Sequence, residues 1–415
     1  ANGTSINTAA ATASYAFNHT NITGNQNYEL EVTQGTTTIV KKFTAVVSPT
    51  VVSETIPAGL VDGINYNPND ATKATLVLDA PLKDFVYVAG SFNNWQPTAA
   101  YAMKKDASAG STKFWLELTG LTAGTNYTYQ YWVVDQTPLA GSPSLVKAAD
   151  PYSTLVLSPY DDGGIPATSF PNLPAYPSGQ EREVTWFKTG QTPYAWSQAT
   201  LNFVKPAKEK LVVYEVLVRD FDARRNFQDL IDKIDYFKNL KVNAIQLMPV
   251  MEFEGNESWG YNTSFHMALD KFYGTPEKLK ELIDLYHQNG IAVILDVALN
   301  HAFGRNSMVR MWMNDPDGDG FGSPTTENPY FNTVAKHSYS EGEDFNHQKA
   351  RTKNYVKRVI KQWVEEFKID GFRWDLTKGF TQNAQGSDAQ TNAYQQDRVD
   401  VLNEYADYSW FLDPA

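Results

Sequence analysis

From about residue 200 onward, the apolar positions switch repeatedly between two periods. Residues 211–218 form a β-branched apolar run that ends in Arg219-Asp220-Phe221. A stripe with helical spacing follows, made of Phe227, Leu230, Ile231, Ile234, Phe237 and Leu240. Residues 243–250 read as the next strand. Thr275-Pro276 then supplies a cap and a first-turn proline to a helix whose inner face is Leu279, Leu282, Ile283 and Tyr286, and Gly290 stops it. Residues 291–299 read as a third strand, and Tyr355, Val356, Val359, Ile360, Trp363 and Phe367 as the stripe of the next helix. A fourth strand is expected at 371–376 and a fourth helix at about 392–408. Four strand–helix units imply a parallel sheet with helices outside, either a (β/α)₈ barrel or a doubly wound sheet.

The first 200 residues have a different rhythm. Residues 1–53 alternate at 28–33 and 38–47 and read as a partial β domain. Residues 54–160 read as a second all-β unit, with strands at 75–79, 85–92, 113–118 and 126–135 set apart by Pro, Gly and Asn turns. Prolines 138, 143, 151, 159, 166, 171, 174, 177 and 193 favour extended chain, so 161–200 is expected to be a Pro-rich connector. The parallel unit then fills 201–415, with an insertion at about 303–345.

The candidate chemistry sits at strand ends. In Gly371-Phe372-Arg373-Trp374-Asp375-Leu376 the two charges are spaced i, i+2 and leave the same face of a strand expected to be buried. An Arg and an Asp pointing together into a core need each other or further partners, so a structural ion pair is as good a reading as a functional one. A second run, Asp296-Val297-Ala298-Leu299-Asn300-His301, breaks the tie by placing more polar side chains at the end of another strand. Barrel enzymes keep their chemistry at the C-terminal ends of the strands, which favours the barrel. The loop Asp315-Pro316-Asp317-Gly318-Asp319-Gly320 has the alternate carboxylates that begin a calcium loop, but its twelfth position is Thr326 rather than Glu. A solvated acidic loop is the competing reading.

Composition narrows the partners. A net charge of -12 argues against nucleic acid or an anionic membrane surface. No apolar run is long enough to span a membrane. The absence of cysteine excludes disulfides and thiolate chemistry. The 10 Trp, 23 Tyr and 22 Phe provide flat rings suited to sugar faces, although most must serve as core.

Four motifs together resemble the α-amylase superfamily of retaining glycoside hydrolases and transglycosidases. They are Asp296-Val-Ala-Leu-Asn300-His301, Gly371-Phe-Arg373-Trp-Asp375, Trp259-Gly260-Tyr261-Asn262 and Gly274-Thr-Pro-Glu. Upstream, Gly90-Ser-Phe-Asn-Asn-Trp95, Phe114-Trp115 and Tyr127-Tyr129-Tyr131 resemble the immunoglobulin-like early-set domain that precedes many α-glucan-active enzymes, with Trp95 and Trp115 as either sugar platform or core. The implied architecture is multidomain: immunoglobulin-like all-β units, then the first half of a (β/α)₈ barrel. The resemblance implies that Asp375 is the nucleophile, kept charged by Arg373, and that Asp296 orients Arg373. It implies substrate contacts for Tyr261, His301, Trp259 and Lys378, and a calcium ligand in Asn300. The His that commonly follows the matching Lys is Gly379 here.

The family's acid/base Glu follows a fifth strand, and none of Glu252, Glu254, Glu257 and Glu404 matches it. The chain is therefore expected to be the front portion of a longer enzyme, itself inactive on starch. The expected partner is an α-glucan, cleaved at α-1,4 bonds; branching or debranching enzymes and a non-catalytic glucan binder are the alternatives. The expected location is secreted, cell-surface or periplasmic.

Overall fold

A computed structural model of the protein describes residues 1–9 and 12–414. Its C-terminal part contains a four-stranded, wholly parallel sheet in the order Val213–Val216, Ala244–Leu247, Ala292–Val297, Gly371–Trp374. Strand order follows chain order, as repeated strand–helix units require. One sheet face carries Val216, Ile245, Leu247, Val293, Leu295 and Val297, all at most 4% exposed and part of the main apolar cluster, with Phe372 and Trp374 packed against it. The helices cover this face. Pro276–Gln288 begins where the Thr275 hydroxyl accepts from Lys278 N and ends before Gly290, whose φ of +72° stops it. Ala350–Lys361 buries Tyr355, Val356, Val359 and Ile360 and runs on through a π-helical turn that buries Trp363. Gln396–Leu412 brings Tyr405 to stack on Trp374 at 5.6 Å.

Three expectations need correcting here. The stripe over 227–240 is two helices, Phe227–Asp232 and Ile234–Leu240, broken at Lys233, and Leu240 is exposed. The strand Gly371–Trp374 is half-buried rather than buried, because the face opposite the helices is open and carries Arg373. The stretch 161–200 is not connector throughout: Val184–Phe187 pairs with Tyr127–Val134 and Val156–Leu157 in a sheet of the β unit. Its Val-Thr-Trp-Phe run is apolar enough to be taken into that core once the prolines end.

The β unit itself consists of two antiparallel sheets. One joins Val156–Leu157, Val184–Phe187, Tyr127–Val134 and Phe85–Gly90, with Leu145–Ala148 also paired to Tyr127–Val134. The other joins Gly63–Tyr66, Ala74–Asp79, Lys113–Leu118 and Lys104–Lys105. Trp95 and Trp115 are 8% and 4% exposed, and the Trp115 indole donates to Glu54 O at 3.0 Å, so both belong to the packing and neither forms a sugar platform. Residues 26–45 form a single hairpin, Gln26–Gln34 with Thr37–Ala45, whose Leu30, Val32, Ile39 and Phe43 are exposed. Among the described residues, no helix is long and apolar enough to cross a membrane.

The β unit meets the parallel unit through specific contacts. Arg351 Nε donates to Asp79 Oδ2 at 2.8 Å, and the Trp312 indole donates to Pro81 O at 3.0 Å. A buried ionic knot reinforces them: Lys271, 1% exposed, binds Glu252 and lies 3.4 Å from Asp162. Burial pushes the Glu252 carboxyl well above its ordinary range, against the pull of Lys271. Removing one member of such a knot strands the other charges in a low dielectric. Lys271→Met is expected to cost about 3–5 kcal/mol, measured by urea denaturation; a loss below about 1 kcal/mol would show that water or rearrangement already satisfies the knot.

Candidate functional site

On the open face of the parallel sheet, side chains alternate opposite the helix-packed ones. Glu215, Gln246, Ile294 and Gly371 form one row in register, and the next row up contains Asp296 and Arg373. Asp296 and Arg373 are direct partners on neighbouring strands, which is why their side chains meet. Arg373 NH1 donates to both oxygens of Asp296 at 3.1 Å and to Asp375 Oδ1 at 2.6 Å. One guanidinium thus holds two carboxylates at the C-terminal rim. Asp296 is fully buried, while the side chains of Arg373 and Asp375 are 43% and 23% exposed. Asp375 leaves the sheet as its backbone N donates to Val297 O, and Leu376 then turns through a left-handed φ of +46°.

Tyr261 and His301 close the back of this cluster. The Tyr261 hydroxyl donates to Asp296 Oδ2 at 2.9 Å. His301 Nε2 donates to Tyr261 O at 2.7 Å, and its Nδ1 faces Asn300 Nδ2 at 3.3 Å. His301 is 1% exposed, with both ring nitrogens engaged inside the protein. In this arrangement it braces the Tyr261 loop. Burial also lowers its pKa, so it is held neutral. Lys378 lies outside the cluster, with Nζ donating to Asn392 Oδ1 at 2.5 Å and lying 5.5 Å from the Tyr339 ring. Trp259 is 62% exposed.

Asn300, expected as a calcium ligand, has a buried Oδ1 without a hydrogen-bond partner. That oxygen faces Gly379, where an added Cβ would lie 1.8 Å from it and 2.7 Å from His337 Nε2. The space left by glycine is therefore taken by the Asn300 amide oxygen, with the His337 imidazole beside it, and that ring pairs with Asp344 Oδ1 at 3.1 Å. The other Asp344 oxygen already accepts from Asn332 Nδ2 and Lys336 N. One amide oxygen, one engaged carboxylate and a ring nitrogen make a poor set for a hard, oxygen-seeking cation, so these residues do not fit calcium here. His337 and Asp344 were not anticipated, because both sit in the insertion, where no periodicity marks them. Asp315, Asp317 and Asp319 do converge, with one oxygen from each lying within 4.8 Å of the others.

The remaining carboxylates considered for proton transfer are engaged elsewhere. Glu252 is tied to Lys271, Glu257 to Arg225, and Glu404 to Lys353 and Lys357. Glu254 accepts from Arg305 N and Ser264.

The carboxylate–guanidinium–carboxylate line lies at the C-terminal rim of a parallel sheet, the edge at which barrel folds keep their functional groups. Residues 220–408 match the family described as Alpha amylase, catalytic domain. The chain is 31% identical over 208 residues to the malto-oligosyltrehalose trehalohydrolase of Saccharolobus solfataricus, a match covering 49% of this chain and 33% of that protein. It is 36% identical over 140 residues to the 1,4-alpha-glucan-branching enzyme of Aspergillus oryzae, covering 33% of this chain and 19% of that one. These matches span about a third or less of the relatives' own length. The crystal structure of GBS pullulanase SAP in complex with maltotetraose shares the fold, with a TM-score of 0.59 at 21% identity over 86% of this chain and 45% of that one.

Two consequences are testable. Gly379→Ala forces a methyl into Asn300 and His337 and is expected to cost about 1–3 kcal/mol in urea denaturation. Gly163→Ala, with nothing within 4 Å, serves as the near-neutral control; equal effects would contradict the close approach. Burial pushes the Asp296 carboxyl up to about 6, against the hydrogen bonds from Tyr261 and Arg373. An unfolded Asp releases its proton near about 3.9, so between these values the native state holds more protons than the unfolded one. On this group's account stability falls as pH rises from about 4 to 6, and Asp296→Asn is expected to lose that slope in denaturation midpoints. Parallel pH profiles for the two proteins would refute it.

Proposed function

We propose that this chain carries the nucleophile side of an α-glucan-active retaining glycoside hydrolase, with the parallel sheet as the first half of a (β/α)₈ barrel. The two antiparallel sheets before it act as an immunoglobulin-like early-set unit. The observation that carries this reading is the double grip of Arg373 on Asp296 and Asp375. A retaining nucleophile must be an ionised carboxylate at the mouth of the site. Asp375 Oδ1 accepts from the shared guanidinium at 2.6 Å, and its side chain remains partly open to solvent. In the proposed step, an Asp375 oxygen attacks the anomeric carbon as the bond to the leaving sugar oxygen breaks. A second carboxyl group supplies the proton to that oxygen, and water later releases the glycosyl group. In this reading Tyr261 lines the reacting sugar and the exposed Trp259 meets a ring further out.

The substrate reading is starch or glycogen cleaved at internal α-1,4 bonds. The match to a branching enzyme and the fold shared with a pullulanase that holds maltotetraose favour a second reading, transfer or debranching, in the same site. Glu252, Glu257 and Glu404 are held in ion pairs away from the line and Glu254 accepts from Arg305 N and Ser264, so residues 1–415 alone are expected to turn over a blocked maltooligosaccharide negligibly. In a chain extended through the remaining barrel, Asp375→Asn should lower turnover of amylose by at least about a thousandfold while leaving the folded state intact. Retained turnover would remove Asp375 from the role. Products from amylose, glycogen and pullulan separate the readings, since new α-1,6 branches mean transfer and maltotriose from pullulan means debranching.

A further inference from the structure

The acidic loop after the third strand takes no part in the proposed chemistry, yet it is built with care. Asp315 is 8% exposed, and its Oδ1 is buried without any hydrogen-bond partner. Its other oxygen accepts from Gly320 N at 2.9 Å, closing the loop on itself. Asp317 and Asp319 turn back toward it, so that an oxygen of each lies within 4.8 Å of the others. Gly318 and Gly320 make this possible with φ values of +72° and +84°.

Three like charges at this spacing repel, and a buried carboxylate oxygen with no donor is costly. The nearby arginines form no direct ion pair with them, although Arg310 attracts Asp315 at longer range. Arg310 is buried, but its Nε donates to Gly320 O at 3.1 Å and its NH1 to Lys147 O at 2.6 Å. Arg182 donates to Asp319 O and to the Tyr160 hydroxyl, and its guanidinium lies 4.0 Å from the centre of the Phe321 ring. Among the described residues, no Lys, Arg or His lies within ion-pair distance of the three carboxylates. Both arginines hydrogen-bond to loop or neighbouring oxygens other than the carboxylates, Asp319 Oδ1 accepts from Phe321 N at 2.8 Å, and Asp315 Oδ1 is left without a donor.

We propose that Asp315, Asp317 and Asp319 bind a calcium ion, with the buried Asp315 oxygen as its innermost ligand. A bound cation would satisfy all three converging carboxylates at once, including the buried Asp315 oxygen. Calcium suits the site better than magnesium, because it tolerates irregular oxygen sets whereas magnesium demands near-ideal octahedral geometry. The alternate spacing and Gly320 at the sixth position match the start of a calcium loop. Thr326 at the twelfth position removes the usual bidentate carboxylate, so the affinity should be modest, about 10⁻⁵–10⁻³ M.

The position gives the ion a structural role. Asp315 N donates to Gly141 O at 2.6 Å, and Arg182 and Lys147, which hold the loop, also belong to the β unit's chain. Calcium would fasten the insertion to the β unit at the seam between the two parts of the molecule. This inference stands apart from the glucan reading, since neither Arg373 nor Asp375 enters it.

The test is calorimetric titration of the chelator-treated chain with calcium chloride, with magnesium chloride as a parallel arm. One calcium per chain is expected, with a rise in Tm of about 3 °C or more at about 5 mM calcium. Asp317→Asn combined with Asp319→Asn alters only exposed side chains and should abolish both effects while leaving the circular dichroism spectrum unchanged. The proposal is overturned if the parent chain shows neither binding nor a Tm shift, if the double variant binds as the parent does, or if magnesium binds equally tightly.

Discussion

The guanidinium of Arg373 is the constraint around which the open face is arranged. It lies between a fully buried carboxylate on one strand and a partly exposed one at the end of its own. That geometry depends on register. Asp296 pairs directly with Arg373, and a slip of one residue would send Arg373 toward the helices and Trp374 onto the open face. The helix side prevents the slip, because Trp374 stacks on Tyr405 and His347 stacks on Phe380 at 3.8 Å. Apolar packing on one side of the strand thus fixes the polar chemistry on the other.

A second layer of charge fixes the surroundings. Asp161, Asp162 and Glu183 come from the segment leading out of the β unit, and Lys271 and Arg305 come from loops at the rim of the parallel sheet. Arg305 also lies 3.8 Å from Glu254, in the loop that carries Trp259 and Tyr261. Buried ion pairs contribute little net stability because desolvation offsets their attraction. Their geometry is demanding, however, and it fixes one orientation of the two parts. The β unit therefore acts on the site indirectly, by holding the loops that form its wall.

How far the sequence revealed all this depends on the kind of signal each residue carries. The parallel strands and the helices from Pro276 and Ala350 were legible because period, caps and stops agreed with one another. The pairing of Arg373 and Asp375 was legible from their i, i+2 spacing, and Asp296 from its place at the end of an apolar strand. The break at Lys233 was not, because the apolar stripe continues across it. Val184–Phe187 was hidden by the prolines before it, although its composition is that of a strand. Trp95 and Trp115 carried no sign of whether they faced solvent or core. His337 and Asp344 lay beyond any local rule, since only the fold brings them beside Gly379.

The hollow at Gly379 shows how the absence of a side chain can itself organise a site. Any β-carbon there would overlap the Asn300 amide, so glycine lets Asn300 and His337 close against the backbone. The Asn300 amide reaches His301, His301 holds the carbonyl of Tyr261, and the Tyr261 hydroxyl reaches Asp296. A chain of hydrogen bonds therefore runs from Asn300, packed against the turn after the fourth strand, through His301 and Tyr261 to the carboxylate that grips Arg373. Asn300, His301 and Asp296 are buried and Tyr261 half-buried, so most of these links lie away from water, where hydrogen bonds are strengthened. The far end of this hydrogen-bond chain is Asp375, the one carboxylate of the line left open to solvent, and so the one free to meet something other than protein.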